Sequence, residues 1–365
     1  MKRRDFMGKM GLGVAAAGLA GPMMAGKVLA EEKPITWKLA TSWPPQFPIL
    51  QESTVRMAKN IEKMTGGRLK MNVYAANELV GALEVFEAVS SGVIQSGSTA
   101  PYFYADKTPE AQFFSDYPFG MTNRGKLAWL YCGGGMELFR EMYKPHNLYP
   151  FVMLATGTQM GGWFRKEIRS LADLKGLKMR IPGIPGKVLK RAGVSVIHVP
   201  GRDVIISMRQ GVLDAAEWVA PVYDAALDLQ GAANYYYYPG WHEPATTVAF
   251  IVNSDSWKAL PDDLKMCVEM ACAESTSWTL AAADAQNGTV LKSLLERYKI
   301  KLRKFPDDVL RELRRLTDEV MEEEASKNPR FRKVYDSLKN FQAGFNEWME
   351  ASEWAYIDAV RKQSF

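Results

Sequence analysis

The sequence predicts an α/β protein of two lobes with mixed sheets, a long connecting helix and an extended C-terminal helix, and three observations carry that prediction. Strand and helix periods alternate over residues 35–99 and again over 177–216, the pattern of two α/β units. Two apolar runs, Phe151–Ala155 and Thr246–Val252, stand where the chain must pass to the second lobe and come back. Helical periodicity then runs from Pro261 to about Tyr298, roughly 55 Å at 1.5 Å per residue, enough to span both lobes.

The N-terminus reads as an export address: Arg3-Arg4-Asp5-Phe6-Met7 is a twin-arginine pattern, followed by an apolar run from Met10 to Ala25 and a small residue at Ala30. Cleavage is expected near Ala30, which places the mature chain in the periplasm. The formal charge of +5 shrinks once this segment is removed. Residues 1–30 carry Lys2, Arg3, Arg4, Lys9 and Lys27 against Asp5, a net +4, so +1 remains. No basic stripe is left, which argues against nucleic acid as a partner. Cys132, Cys267 and Cys272 form an odd set without metal-ligand spacing, so neither a structural disulfide nor a metal-thiolate site is expected.

In the first lobe Ile35, Trp37 and Leu39 alternate into a strand that Pro44-Pro45 ends. Leu50, Val55, Ala58, Ile61 and Met64 follow at helical spacing up to Gly66-Gly67, and Leu69, Met71 and Val73 restore period two. This is a βαβ unit. A helix over Leu79–Ser90 and a strand over Gln95–Thr99 lead to Tyr102-Phe103-Tyr104. Those aromatics are either core or the roof of a pocket, with Tyr102 or Tyr104 donating a hydroxyl to a ligand. Two helices around Thr122–Cys132 and Met136–Tyr143 are separated by Gly133-Gly134-Gly135. With no strand before it and no Lys-Ser/Thr after it, this run is not a phosphate loop.

Phe151–Ala155 reads as a central strand delivering Gln159 and the flexible pair Gly161-Gly162 to the second lobe. Ser170 and Asp173 have capping-box spacing for a short helix closed by Gly176. Leu177, Met179 and Ile181 then alternate with Lys178 and Arg180 until Pro182, so Arg180 projects from the face opposite its apolar neighbours. A helix (186–192), a strand (196–199), a helix (203–211) and a strand over Val212–Ala216 ending in Glu217-Trp218 complete the unit. Tyr235–Tyr238, followed by Pro239-Gly240-Trp241-His242-Glu243, reads as a crossing strand that walls a cleft. After the long helix come a short strand over Ile300–Arg303 and a helix opened by Pro306-Asp307-Asp308. One last helix follows, whose stripe of Phe331, Tyr335, Leu338, Phe341, Phe345, Trp348 and Ala355 is widened by Trp354, Tyr356 and Ile357. So much apolar surface on a terminal helix must be covered, by its own lobe or by a partner.

Four motifs in order carry a resemblance: QMGGWFR (Gln159–Arg165), DLKGLKMR (Asp173–Arg180), DAAEWV (Asp214–Val219) and YYYYPGW (Tyr235–Trp241). Together they resemble the solute receptors of tripartite ATP-independent periplasmic (TRAP) transporters, in the branch that binds α-keto acids. The resemblance extends from the export signal to the last helix and implies a two-lobed periplasmic binding protein fold without enzymatic activity. It implies a division into a signal peptide (1–30), lobe I (31–156 plus 245–285), lobe II (157–244 plus 286–328) and a C-terminal dimerisation helix (329–365) that makes a homodimer. It implies that Arg180 clamps the substrate carboxylate, that Gln159, Glu217 and the Trp218 carbonyl are cation ligands with Glu243 nearby, and that membrane subunits of a TRAP transporter are partners.

The residue chemistry agrees. A guanidinium donates two parallel hydrogen bonds to a carboxylate. Two acids beside a carboxylate ligand repel it unless a cation intervenes, and amide, carboxylate and carbonyl oxygens suit Na⁺, or alternatively Ca²⁺, rather than zinc. The expected ligand is a small monocarboxylate, a 2-oxo acid such as pyruvate, taken up on a sodium gradient. A calcium-lactate receptor uses the same residues. The alternative from another class is a periplasmic oxidoreductase, against which stand the lack of a nucleotide-binding glycine fingerprint, of a CxxC set and of paired histidines among His146, His198 and His242.

Overall fold

Alternation along Ile35–Thr41 buries Trp37 and Leu39 and exposes Thr36 and Lys38, as a strand with one face on a core requires. The computed structural model describes residues 33–197, 199 and 201–363. The expected export signal and His198 lie outside the described residues.

In chain order the strands are β1 (Ile35–Thr41), β2 (Leu69–Tyr74), β3 (Ser96–Thr99), β4 (Leu148–Ala155), β5 (Gly162–Phe164), β6 (Lys178–Arg180), β7 (Ser195–Val196), β8 (Ala215–Ala216), β9 (Tyr235–Tyr238), β10 (Thr247–Asn253) and β11 (Lys301–Lys304). The α-helices are α1 (Leu50–Met64), α2 (Val85–Ser90), α3 (Asn123–Cys132), α4 (Gly135–Tyr143), α5 (Gly183–Arg191), α6 (Gly201–Arg209), α7 (Pro221–Ala226), α8 (Ser254–Lys258), α9 (Asp262–Glu296), α10 (Asp307–Lys327), α11 (Pro329–Ala351) and α12 (Glu353–Gln363). One sheet has the order β2-β1-β3-β10-β4, with β1 parallel to β2 and β3 and β10 antiparallel to its neighbours. The other has the order β11-β9-β5-β8-β6-β7 and is likewise mixed.

Four expectations need correction. The run containing Phe151–Ala155 is an edge strand, not a central one; β10, buried along its whole length, takes the inner place. Pro150 fits an edge, and α9 closes it with side chains: Thr279 Oγ1 accepts from Ala155 N (3.0 Å), and Thr276 Oγ1 shares its proton between Cys272 O of its own helix (2.9 Å) and Val152 O (3.2 Å). The helix expected from Leu79 begins only at Val85, because Glu78 and Glu84 side chains accept from the Ala75 and Gly81 N–H groups and hold the preceding residues in turns. Tyr235–Tyr238 does not wall a cleft. It lies inside the second sheet, with Tyr236 stacked on Trp163 (centroids 4.1 Å) and Tyr237 tilted against Phe305 (4.6 Å).

The C-terminal helix is two helices broken at Ser352, whose hydroxyl donates to Trp348 O (2.6 Å). Phe331, Tyr335 and Leu338 are buried in the chain's own core, with Phe113 lying 4.6 Å from Phe331. Gly133 of the three-glycine run serves this packing: a Cβ there would stand 2.7 Å from the Phe341 ring. Trp348, Trp354, Tyr356, Ile357 and Val360 remain exposed. The three cysteines are free, and among the described residues no helix is long and apolar enough to cross a membrane.

Asp224 fastens α7 to the second sheet, accepting from Trp163 Nε1 (2.8 Å), Tyr236 Oη (2.6 Å) and Val219 N (2.9 Å). Burial raises its carboxyl to about 6, so between pH 4 and 6 the folded chain holds a proton that the unfolded chain has lost. Its contribution therefore falls as pH rises through that window. Asp224→Asn lacks this term, and its destabilisation in urea melts should be larger at pH 4.5 than at pH 7 by about 2 kcal/mol; an equal loss at both pH values would contradict the assignment.

Candidate functional site

Besides α9, which carries the chain from β10 to β11, two segments connect the sheets: 156–161 from β4 to β5, and 239–246 from β9 to β10. They run against each other, with Thr156 N donating to Thr246 O (3.0 Å), Gln159 N to Pro244 O (3.0 Å) and Gly161 N to Tyr237 O (2.7 Å). Gly240 is needed here, because a Cβ would lie 2.5 Å from Gln159 O. Close approach, rather than flexibility, is what glycine supplies at this crossing. It brings Gln159 and Glu243 together although they are far apart in sequence. Thr246 Oγ1 stands between them, 2.7 Å from Gln159 Nε2 and 2.9 Å from Glu243 Oε2.

Arg180 ends β6, which pairs with β8, so the residue after β8, Glu217, emerges beside the guanidinium. The short helix before β6 is a single 3-10 turn whose capping box holds, with Asp173 Oδ2 accepting from Ser170 N at 3.1 Å. Arg180 Nη1 donates to the Glu217 carbonyl (2.9 Å) and to Glu217 Oε1, and the guanidinium lies 5.2 Å from the centre of the Trp218 ring. Glu217 Oε2 is 3.2 Å from His242 Nε2. Arg180 is 7% exposed, Glu217 1% and Glu243 3%, so these charges depend on one another rather than on water.

Electrostatics places Tyr102 in the same group. Burial raises its hydroxyl well above the ordinary tyrosine range, the Glu243 and Glu217 carboxylates raise it further, and Arg180 opposes them. Glu243 is also raised well above the ordinary carboxylate range, by burial first and then by Glu217 and Asp116, against the Thr246 hydrogen bond and Arg180. Tyr102, Arg180 and Trp218 line a cavity of about 890 Å³ whose walls include Trp43, Pro44, Phe103 and Leu227. Tyr104 stands apart: its hydroxyl meets Thr99 Oγ1 (2.9 Å) and Phe86 N (3.2 Å) inside the core, against the Phe86 ring.

The structure thus brings Arg180, Glu217, Trp218, Tyr102, Gln159 and Glu243 together and leaves Tyr104 out. It adds residues that the sequence did not single out. His242 contacts Glu217, and Thr246 joins Gln159 to Glu243. Behind them lies a fully buried ion pair, Asp116 with Lys126 (3.3 Å), in which Asp116 Oδ2 accepts from Ala245 N and Lys126 donates to Phe113 O (2.9 Å). The His242-Glu243 neighbourhood was visible as a motif tail, but nothing in the sequence marked Asp116 or Lys126.

Among the described residues no group of three or more His, Cys, Asp or Glu side chains is arranged to hold a metal, which leaves no site of the zinc type. A hard cation asks for something else: oxygen acceptors with spare lone pairs. Gln159 Oε1 is such an acceptor, buried and without a hydrogen-bond partner, on a side chain that Thr246 joins to Glu243. The donor set therefore fits Na⁺ or Ca²⁺.

Residues 39–328 match the family described as bacterial extracellular solute-binding protein, family 7. A monocarboxylate 2-oxoacid-binding periplasmic protein of Nostoc sp. is 38% identical over 359 residues, 98% of each chain. Among solved structures, a TRAP periplasmic solute-binding protein of Pseudoalteromonas atlantica with bound sodium and pyruvate is 38% identical at TM-score 0.87, covering 91% of this chain and 100% of that one. A TRAP transporter solute-binding protein of Bordetella bronchiseptica is 34% identical at the same TM-score, covering 91% and 99%. It is described as a mixed-occupancy dimer with copurified calcium and picolinate in one active site and the other site apo. With the family matched over most of its length and a relative this similar from end to end, the chain belongs to family 7 of the bacterial extracellular solute-binding proteins, the two-lobed receptors of TRAP transporters.

Proposed function

We propose that the protein is an extracytoplasmic receptor that binds a 2-oxo monocarboxylate such as pyruvate, together with a cation, and hands it to the membrane subunits of a TRAP transporter for sodium-driven uptake. The observation that carries this reading is the gathering of Arg180, on the wall of the cavity, with two buried carboxylates and with Gln159, whose amide oxygen has no partner. Family membership makes the chain a binding receptor and not an enzyme, which removes the oxidoreductase alternative.

Each residue has a stated task. Arg180 uses Nη1 on Glu217, which leaves Nε and Nη2 as the fork for a ligand carboxylate. Glu217 and the Trp218 ring fix the guanidinium in place. Tyr102 offers its hydroxyl, kept protonated by its buried and anionic surroundings, to a ligand oxygen. Gln159, Glu217, Glu243 and the Trp218 carbonyl are the proposed cation donors. A bound cation supplies the positive charge that lets an anionic ligand approach Glu217 and Glu243. With both acids ionised, Arg180, one ligand carboxylate and a divalent ion sum to zero; with one proton on the acids, a monovalent ion does. Sodium is the proposed cation, and calcium the alternative that the same oxygens accept.

The proposed lobes are 31–156 plus 245–285 and 157–244 plus 286–328, closing about the two connecting segments. Residues 1–30 direct twin-arginine export. The exposed aromatics around the Ser352 break are the proposed homodimer contact, in keeping with the dimer described for the Bordetella relative.

Three measurements test this reading. Arg180→Lys keeps the charge and loses the fork; calorimetry with pyruvate should show a loss of about 1.5–3 kcal/mol, and an unchanged affinity means the clamp lies elsewhere. Pyruvate binding should weaken after chelation and replacement of sodium by a bulky organic cation, because cation and ligand raise each other's affinity by equal factors. A chain ending at Ser352 keeps Phe331, Tyr335 and Leu338 in place, so it should be a folded monomer by light scattering with an unchanged melting temperature; a persistent dimer puts the contact elsewhere.

A further inference from the structure

We infer that Thr246 is a positioning residue: its hydroxyl, with that of Thr156, fixes which end of the Gln159 amide faces the cation site. The inference rests on the cation reading above but asks a separate question. Gln159 carries an oxygen and an NH₂ group at nearly the same positions, and a half-turn about the last bond exchanges an acceptor for two donors. Only the orientation with the oxygen inward can hold a cation. Something must forbid the other.

The hydrogen count supplies the prohibition. Thr246 has one hydroxyl proton, and with Glu243 ionised, the form that holds a cation, it goes to Glu243 Oε2 (2.9 Å), so towards Gln159, 2.7 Å away, Thr246 Oγ1 can only accept. Thr156 also has one hydroxyl proton, and it goes to Gly157 O (3.0 Å). Towards the amide, 3.5 Å off, and towards Thr246 N at 3.1 Å, Thr156 Oγ1 can only accept as well. The amide therefore faces two acceptor-only oxygens, which demand the NH₂ on that side. Turning it over would set oxygen against oxygen at 2.7 Å in a place without water, since Gln159 is 3% and Thr246 4% exposed. The amide oxygen is left on the other side, buried and without a partner. The same proton that orients Gln159 also steadies Glu243, so one hydroxyl aligns two of the proposed ligands, one on each connecting segment.

The test uses full-length mature protein titrated with calcium chloride and, separately, sodium chloride, in the presence and absence of pyruvate. Thr246→Val removes the hydroxyl at constant shape and leaves the main-chain bonds to Thr156. It should weaken cation binding roughly 10–100-fold, as loss of an outer partner of a metal ligand does. The factor by which the cation raises pyruvate affinity should shrink with it, and Thr246→Ser should restore both. Gln159→Glu gives a second reading with the opposite naive expectation. If only charge mattered, the added carboxylate would tighten calcium binding; facing two acceptor-only hydroxyls, it should weaken it. A Thr246→Val protein that melts cooperatively and binds both cations as wild type does overturns the inference and leaves the cation reading intact. So does Gln159→Glu with calcium affinity above wild type. If the wild-type chain binds pyruvate equally well with and without cations, the cation reading falls and takes this inference with it.

Discussion

Buried negative charge is the constraint on which the site depends. Glu217 and Glu243 are nearly out of water, and burial, Glu217 and a third acid, Asp116, raise the cost of ionising Glu243. The chain answers each with its own donor. Glu217 has Arg180 and His242, Asp116 has Lys126 and the Ala245 amide, and Glu243 has the Thr246 hydroxyl. Glu243 is the least compensated of the three, with one neutral hydrogen bond and the distant help of Arg180. A site that ends on an under-compensated acid and an unpartnered amide oxygen is short of positive charge by construction, and the proposed cation would fill that shortage.

The two connecting segments turn this electrostatic arrangement into a geometric one. Gln159 lies on one, Glu243 on the other, and the hydrogen bonds between them are main-chain and side-chain together. Motion of one sheet relative to the other passes through these segments and through α9. The residues proposed to hold the cation are therefore also the residues that such a motion would displace, so ligand capture and lobe movement share a mechanical element.

Much of this was legible in the sequence where local rules decide. Arg180 was readable because two-residue alternation, ended by a proline, fixes the side on which a side chain emerges. The long helix α9 and the capping box at Ser170 were readable for the same kind of reason. Features that arise between distant segments were not. Thr246 and Lys126 look like ordinary residues until the chain crosses itself, and β4 reads as a central strand because its outer edge is covered by a helix and so is as apolar as an inner one. The break at Ser352 escaped because neither proline nor glycine marks it; a serine hydroxyl turned back on its own helix is a weak signal. Tyr104 could not be separated from Tyr102 by sequence, since one aromatic faces the core and the other the cavity only after a 3-10 turn splits them.

The way α9 finishes the first sheet bears on how such a protein survives outside the cytoplasm. An uncovered edge strand offers free amide and carbonyl groups to any passing chain. Thr276 and Thr279 occupy two of those groups on β4 with hydroxyls carried by a single continuous helix. The seal involves no strand partner that could be exchanged for a foreign one. Polymerisation through that edge would first require α9 to be peeled from the sheet along much of its length, so resistance to aggregation here is a property of the same helix that was first noticed for its reach.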